Sequence, residues 1–149
     1  GDCEDPDWPR LFDGLGVETF PTTGTRTVGE LSITGLTLAD SRDTRRTIAR
    51  VGAFHVAVGH APDFALGEIE ADLLIAGHTH GGQVRIPLIG PILTLSRVPR
   101  AWAAGRTDLP GGRTLIVSRG VGHERSYAPR LRFLCRPELV VIDVIPAAK

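Results

Sequence analysis

Two apolar runs of the sequence end in the same way, with a glycine followed by a histidine. Residues 56–58 precede Gly59 and His60, and residues 74–76 precede Gly77 and His78. Short, almost uninterrupted apolar runs of this kind are typical of strands buried on both faces of a sheet. Ligands of such sheets bind beyond the carboxyl ends of the strands, where a glycine lets the backbone turn and approach closely. We therefore expect His60 and His78 to lie at the edge of one site.

A third histidine, His80, stands two residues after His78 in the string GHTHGG at residues 77–82. Neutral imidazole is the commonest nitrogen ligand of borderline divalent metals, and a glycine-flanked turn has few conformers to lose on binding. A His-x-His pair in a turn can also direct its members at two adjacent ions. The three histidines together favour a metal site.

A histidine can also be a structural residue, and a His-x-His pair also occurs in another metal-binding fold. His55 lies inside an apolar run, and we interpret it as a hydrogen-bonded structural residue. A cupin also carries His-x-His, but it needs a glutamate three or four residues later, where Val84 and Arg85 stand. The cupin interpretation is therefore disfavoured.

The composition excludes several classes of protein. The 149 residues carry 17 Lys+Arg and 17 Asp+Glu, so no net field favours nucleic acid, and none is expected as a partner. The only lysine is Lys149, which rules out a GxxxxGK[ST] phosphate loop. Arg125 stands where a third dinucleotide-binding glycine would follow Gly120 and Gly122, and the GxSxG and HExxH motifs are absent. Cys3 and Cys135 are too few for a disulfide framework.

The elements that must position the histidines follow from periodicity and from glycine and proline placement. We predict strands at residues 54–58, 73–76, 114–117 and 139–145, with a hairpin or two short strands within 27–38. Short helices are expected at 41–51 and 8–15, and prolines predict an irregular loop from 86 to 106. No internal repeat or composition break is seen, so we expect one domain of the α/β class.

The string from Ala71 to Pro87, ADLLIAGHTHGGQVRIP, resembles the calcineurin-like metallophosphoesterase family. The resemblance extends upstream to GHAPD at 59–63, similar to the His-x-Pro block of that family. Downstream it includes VSRGVG at 117–122 and RFLCRPEL at 132–139, which resembles the terminal block of the branch with bacterial membrane-associated phosphodiesterases. The resemblance implies an α/β (α+β) fold, a four-layer αββα sandwich. Residues 1–149 are expected to form the C-terminal portion of one such domain, with the DxH and GDxxD blocks preceding Gly1.

The same resemblance assigns roles to individual residues. Gly1 to Glu4 is an altered version of the Gly-Asn-His-Asp block, so Asp2 takes the place of a metal-binding asparagine. Cys3 takes the place of the catalytic histidine that contacts phosphate, where a thiol is a poor substitute for imidazolium. His60 and His78 would join Asp2 on one metal, and His80 would bind the other.

The implied activity is hydrolysis of a phosphomonoester or phosphodiester by a hydroxide that two divalent ions activate, with manganese, iron or zinc as the candidate metals. The missing N-terminal half of the domain would supply the bridging aspartate, so this portion alone is expected to be a poor two-metal catalyst. The alternative is a metal-binding or scaffold version of the fold that has lost turnover, and the altered residues Asp2 and Cys3 motivate it.

Structural or solvent-exposed roles are favoured for most of the remaining candidate residues. Arg119 and Arg132 match basic positions of the family, but a solvated or salt-bridged role is favoured over direct phosphate contact, and His123 stays open. Cys135 is interpreted as a packed free thiol. Apolar residues of the 86–104 loop could embrace a lipid-linked phosphoester substrate or pack on the missing half. Cytoplasmic, exported and membrane-associated locations and the oligomeric state stay open.

Overall fold

A computed structural model describes residues 7–124 and 129–145. Its centre is a six-stranded sheet in the order β1-β2-β4-β6-β10-β9. The four inner strands run parallel, and the edge strands β1 and β9 are antiparallel to their neighbours. The strands of this sheet are β1 (Gly24–Val28), β2 (Leu31–Gly35), β4 (Phe54–Val58), β6 (Leu73–Ala76), β9 (Gly105–Asp108) and β10 (Thr114–Val117).

Short elements surround the central sheet. Two small sheets pair β3 (Thr47–Ile48) with β5 (Glu68–Ile69) and β7 (Arg85–Ile86) with β8 (Gly90–Pro91). One α-helix is described, α1 (Leu38–Ser41), and the 3₁₀ helices are Trp8–Phe12, Pro62–Leu66, His80–Gly82, Arg100–Trp102 and Pro110–Gly112. The architecture is mixed α/β with a multi-stranded sheet and few helices, which agrees with the predicted class. No helix in the described ranges is long and apolar enough to cross a membrane.

Three of the four predicted buried strands are confirmed with unchanged bounds, at β4, β6 and β10. Their inward side chains form the core, because alternate residues of adjacent parallel strands share one face. Ala57, Leu74 and Leu115 are fully buried there, and Phe64 packs on them from the Pro62–Leu66 helix. The predicted hairpin is also confirmed as β1 and β2.

The strand predicted at residues 139–145 is wrong. This segment has no strand assignment, and Leu139 and Ile145 are 84% and 79% exposed. The segment pairs with neither edge strand of the central sheet, β1 or β9. A β-branched apolar run carries the propensity for a strand, but pairing and burial decide whether one forms.

The helix predicted at 41–51 is also wrong. The α-helix ends at Ser41, and the Asp43 carboxylate then accepts a hydrogen bond from the Arg45 N–H in a turn. Ile48 is buried because it pairs in β3 rather than because it lies on a helix face. The helix expected at 8–15 is a 3₁₀ helix over Trp8–Phe12 with no buried residue. The predicted irregular loop contains only the β7–β8 hairpin and the Arg100–Trp102 turn before β9 begins.

A polar cluster joins the strands at the end of the sheet opposite His60 and His78. Asp72 precedes β6, and its carboxylate accepts hydrogen bonds from the His55 N–H at 2.8 Å and from the Arg50 guanidinium at 2.8 and 2.9 Å. The His55 imidazole is fully buried, with Nε2 2.7 Å from Thr34 Oγ1. The structural interpretation of His55 is therefore confirmed.

The Asp72→Asn substitution should lower the free energy of unfolding by about 1–3 kcal/mol at neutral pH, because a carboxylate bonded to a cation is lost. Partial burial raises the pKa of Asp72, but the bonds from His55 and Arg50 outweigh it and hold the pKa below 3.8. A carboxyl group whose pKa is lowered in the folded state stabilises the fold at pH values above its ordinary pKa. That stabilisation disappears as the pH falls through the lowered pKa of the folded state.

Urea denaturation over a pH series measures this effect. The difference between the native protein and Asp72→Asn should shrink on acidification, and a difference that stays constant with pH would contradict the assignment. Asp108→Asn is the control, because the exposed pair between Asp108 and Arg106 should contribute less than about 1 kcal/mol.

Candidate functional site

The parallel pairing of β4 with β6 brings two loops side by side. Val58 lies opposite Ile75 at the ends of these strands. Beyond that pair, the Gly59 N–H donates to the Ile75 carbonyl and the Gly77 N–H donates to the His60 carbonyl, both at 3.0 Å. A Cβ at Gly59 would lie 2.8 Å from a ring atom of Phe64, so this turn requires glycine. His60 and His78 thus leave the sheet from neighbouring, hydrogen-bonded backbones.

The two imidazoles meet directly. His60 Nε2 lies 3.0 Å from His78 Nδ1, and the ring centroids are 4.8 Å apart. The other ring nitrogen of His78, Nε2, lies 3.0 Å from the Leu95 carbonyl. A carbonyl oxygen only accepts hydrogen bonds, so His78 Nε2 carries the proton. In the neutral ring, Nδ1 therefore presents its lone pair toward His60.

This arrangement fits two adjacent ligands of one cation. Two nitrogens bound to one cation at about 2.1 Å lie about 3.0 to 3.4 Å apart for ligand angles between a right angle and the tetrahedral angle, and the imidazole nitrogens are 3.0 Å apart. A ring N–H bonded to a backbone carbonyl is also the usual way in which a ligating histidine is oriented. Within residues 7–124 and 129–145, no three His, Cys, Asp or Glu side chains converge as a metal site. The described residues thus provide a pair of nitrogens rather than a complete ligand set.

The turn after β6 holds strained backbone conformations. His78, His80 and Gln83 have φ values of 67°, 47° and 49°, a region that costs a non-glycine residue about 1–3 kcal/mol and occurs preferentially at functional sites. Thr79 stabilises the turn, because its buried hydroxyl donates to the Ala103 carbonyl at 2.6 Å.

The buried Gln83 amide ties the same turn to later parts of the chain. Its Nε2 donates to the Pro129 carbonyl at 2.8 Å, and its Oε1 accepts from the Glu124 N–H. No role was predicted for Gln83, although it stands in the string that carries the family resemblance.

His80 is not part of the hydrogen-bonded imidazole pair. Burial is the main cause that lowers the pKa of its imidazole, and the nearby Arg132 guanidinium lowers it further, against smaller opposing effects of the Arg119 backbone and Glu124. The His80 carbonyl accepts hydrogen bonds from Arg132 Nη1 at 3.3 Å and from Cys135 Sγ at 3.2 Å. The backbone of this residue is thereby fixed on the side facing the C-terminal segment.

The two predicted basic residues have structural contacts. The Arg132 guanidinium donates to the carbonyls of Arg119, Gly120 and Gly122 as well as to that of His80. Arg119 forms an ion pair with Glu138 at 3.5 Å, which agrees with the salt-bridged role that was favoured.

Three further sequence predictions have different outcomes. Cys135 is 2% exposed and packs against the His80–Gly82 turn, so the packed free thiol is confirmed. His123 lies on the surface, and no described contact gives it a role. Asp2 and Cys3 lie outside the described residues.

A cavity of about 680 Å³ opens beside His78. The segment 92–98 forms one wall, and we call it the 92–98 strap. Three arginines line the cavity with His78, namely Arg42, Arg97 and Arg100, together with Asp63 and Glu124. These arginines were not predicted as site residues, because Arg42 is far in the chain from Arg97 and Arg100 and because 16 of the 17 basic residues are arginine.

The chain is similar to curated proteins named as phosphoesterases. It is 34% identical over 106 residues to the uncharacterized metallophosphoesterase YkuE of Bacillus subtilis. The aligned residues cover 68% of this chain and 35% of that protein. It is 34% identical over 93 residues to the phosphodiesterase YaeI of Escherichia coli, covering 60% of this chain and 32% of that protein. An uncharacterized metallophosphoesterase of Campylobacter jejuni, Cj0846, is 32% identical over 91 residues, covering 60% of this chain and 22% of that protein.

The chain spans about a third or less of the length of these curated relatives. No protein-family model matches the chain, and no solved structure matches it significantly. Four relatives at 32–34% identity nevertheless carry the same kind of name. The resemblance predicted from the GHTHGGQ string is confirmed, and the chain is a relative of the calcineurin-like metallophosphoesterases.

Proposed function

We propose that this chain provides part of the site of a metal-dependent phosphoesterase that hydrolyses a phosphomonoester or a phosphodiester. The observation that carries the proposal is the contact of His60 Nε2 with His78 Nδ1 at 3.0 Å, directly after two parallel strands. Both side chains leave the carboxyl edge of the sheet, where ligands bind in this class of fold. The names of the relatives support phosphoester substrates.

In this proposal His60 and His78 join Asp2 on one divalent ion, and His80 binds a second. Manganese, iron and zinc all suit imidazole and carboxylate ligands. Divalent ions held there would supply hydroxide near neutral pH, by lowering the pKa of a bound water. Arg42, Arg97 and Arg100 would orient the anionic substrate, because a guanidinium pairs with phosphate oxygens through two parallel hydrogen bonds.

We further propose that residues 1–149 form the C-terminal portion of a single four-layer αββα domain. The described six-stranded sheet would be one of its two sheets, and the DxH and GDxxD blocks would lie on the other portion. The length of the relatives supports this arrangement, because the chain matches only about a third of them.

The alternative is a metal-binding or scaffold version of the same fold without turnover. It is favoured by Asp2, which stands where the family has a metal-binding asparagine. It is also favoured by Cys3, since a thiol does not replace the imidazolium that would protonate the leaving group. The experiments below distinguish turnover from metal binding alone.

His78→Ala should abolish manganese-dependent hydrolysis of a chromogenic phosphodiester by the full-length protein and weaken manganese binding by more than about 100-fold. Even loss of a group that only orients a ligand costs about 10- to 100-fold, so loss of the ligand itself should cost more. His123→Ala is the matched control, because His123 is exposed and outside the imidazole pair. Equal activity of both variants would contradict the assignment of His78, and metal binding without turnover in the native protein would favour the scaffold alternative.

Cys3→His should raise the turnover number about 10²- to 10⁴-fold if Cys3 occupies the position of the general acid, since a positioned acid contributes that factor. Steady-state kinetics on the manganese-loaded protein measure the effect. Cys135→Ser is the control, because that thiol is buried against the His80–Gly82 turn. A Cys3→His variant no faster than the native protein would remove Cys3 from the proposed chemistry.

A lipid-linked substrate is also proposed. Leu88 and Ile89 are 109% and 64% exposed at the β7–β8 hairpin, and Ile92 lines the cavity beside His78. Exposed apolar side chains next to a polar site are typical of surfaces that bind apolar groups. Replacing Leu88 and Ile92 with serine should raise KM for a phosphoester with an acyl chain at least about tenfold, since each buried apolar side chain contributes about 1.5–3 kcal/mol.

Turnover of a short water-soluble phosphodiester by the same variant is the control and should be unchanged. Unchanged KM values for both substrates would contradict the lipid-linked class.

A further inference from the structure

A buried carboxylate lies between the histidine loop and the 92–98 strap. Asp63 follows His60 by three residues, in the 3₁₀ helix Pro62–Leu66, and is only 4% exposed. Its Oδ1 accepts a hydrogen bond from the Arg97 N–H at 2.7 Å and another from the Ser96 hydroxyl. The Ser96 hydroxyl also accepts a bond from the Val98 N–H at 3.4 Å. The carboxylate therefore holds Ser96 and Arg97 directly, and Val98 through the Ser96 hydroxyl.

The residue just before this anchored group is Leu95, whose carbonyl faces His78 Nε2 at 3.0 Å. Leu95 has a φ of 52°, a left-handed conformation that a leucine adopts only when surrounding contacts hold it. The direction of its carbonyl depends on that conformation. The bonds from Asp63 to the next two residues are the described contacts that fix it.

We propose that Asp63 is a positioning residue that sets the tautomer of His78 through the Leu95 carbonyl. Because the carbonyl only accepts, it keeps the proton on Nε2 and leaves Nδ1 with its lone pair toward His60. Without that carbonyl, no described acceptor would hold the proton on Nε2. The proposal rests on the metal site proposed at His60 and His78, but it concerns a property of the protein without metal.

The His60 imidazole is in the complementary state. His78 Nδ1 accepts, so neutral His60 must donate from Nε2 across the 3.0 Å contact. Binding a cation between the rings then requires His60 alone to move its proton to Nδ1, whereas His78 is already in the ligating tautomer. Asp63 thus halves the number of imidazole rearrangements that metal binding requires.

The test combines two measurements on full-length protein with Asp63→Ala, Asp63→Asn and Ser96→Ala. Long-range ¹H–¹⁵N NMR spectra of metal-free protein, at a pH where imidazoles are neutral, report which nitrogen of His78 carries the proton. His78→Ala assigns the signals. Manganese titration then gives the affinity of each variant independently of any turnover.

We expect the native protein to show His78 protonated on Nε2, and Asp63→Ala to show a mixture of tautomers with about 10- to 100-fold weaker manganese binding, the usual cost of losing an outer partner of a ligand. Asp63→Asn keeps an oxygen acceptor in place and should restore the native tautomer. Ser96→Ala removes one of the two bonds and should show an intermediate effect. Asp108→Ala, at an exposed carboxylate on β9, is the matched control and should match the native protein.

Circular dichroism shows whether each variant is folded. If Asp63→Ala does not fold, Ser96→Ala carries the test, because it leaves the Pro62–Leu66 helix unchanged. An Nε2-protonated His78 and native affinity in a folded Asp63→Ala, or in Ser96→Ala when it carries the test, would overturn the proposal. Failure of the phosphoesterase function would appear differently, as a lack of turnover in the native protein with the tautomer effect still present.

Discussion

The structure depends on the parallel register between β4 and β6 and on its continuation past both strands. Two backbone hydrogen bonds extend the parallel ladder into the loops, one from the Gly59 N–H to the Ile75 carbonyl and one from the Gly77 N–H to the His60 carbonyl. A shift of one residue would turn every side chain of a strand to the opposite face. The same register therefore buries Ala57 and Leu74 in the core and brings two imidazoles within 3.0 Å of each other. Core and site are specified by one pairing.

The ends of the sheet have different tasks. At the amino end of β6, Asp72 satisfies backbone and side-chain donors, and its neighbour His55 is buried with a hydroxyl partner. At the carboxyl end, His78 and His80 adopt left-handed conformations, and the His78 imidazole bonds to His60 and to the Leu95 carbonyl. Strain is thus concentrated at the end where ligands bind, and the opposite end contributes stability. Proteins of this class commonly divide these tasks between the two ends of their strands.

Periodicity and glycine placement were sufficient to predict the inner strands, because β4, β6 and β10 are short apolar runs that only a buried sheet accommodates. They also placed His60 and His78 at one edge. They failed at residues 139–145 and 41–51, where tertiary pairing decided between structures of similar local propensity. The roles of Asp63 and of the Leu95 carbonyl could not be predicted, because no sequence pattern encodes their contacts. Asp63 bonds to residues 33 and 34 positions away, and Leu95 lies 17 positions from His78. The confirmed resemblance came from the GHTHGGQ string, which identifies a family without describing its contacts.

Arg132 has a consequence for how substitutions would be tolerated near the site. Its planar fork of donors serves five carbonyls, those of His80, Arg119, Gly120, Gly122 and Cys135, on segments whose described residues form no strand. A lysine at this position would keep the charge but could not reach the same acceptors, because an ammonium group has three donors that diverge from one point. The Arg132→Lys substitution would therefore keep the charge but lose most of these hydrogen bonds. In this region the Arg132 side chain supplies the hydrogen-bond donors that a neighbouring strand would supply in a sheet. This role depends on the geometry of its N–H groups rather than on its positive charge.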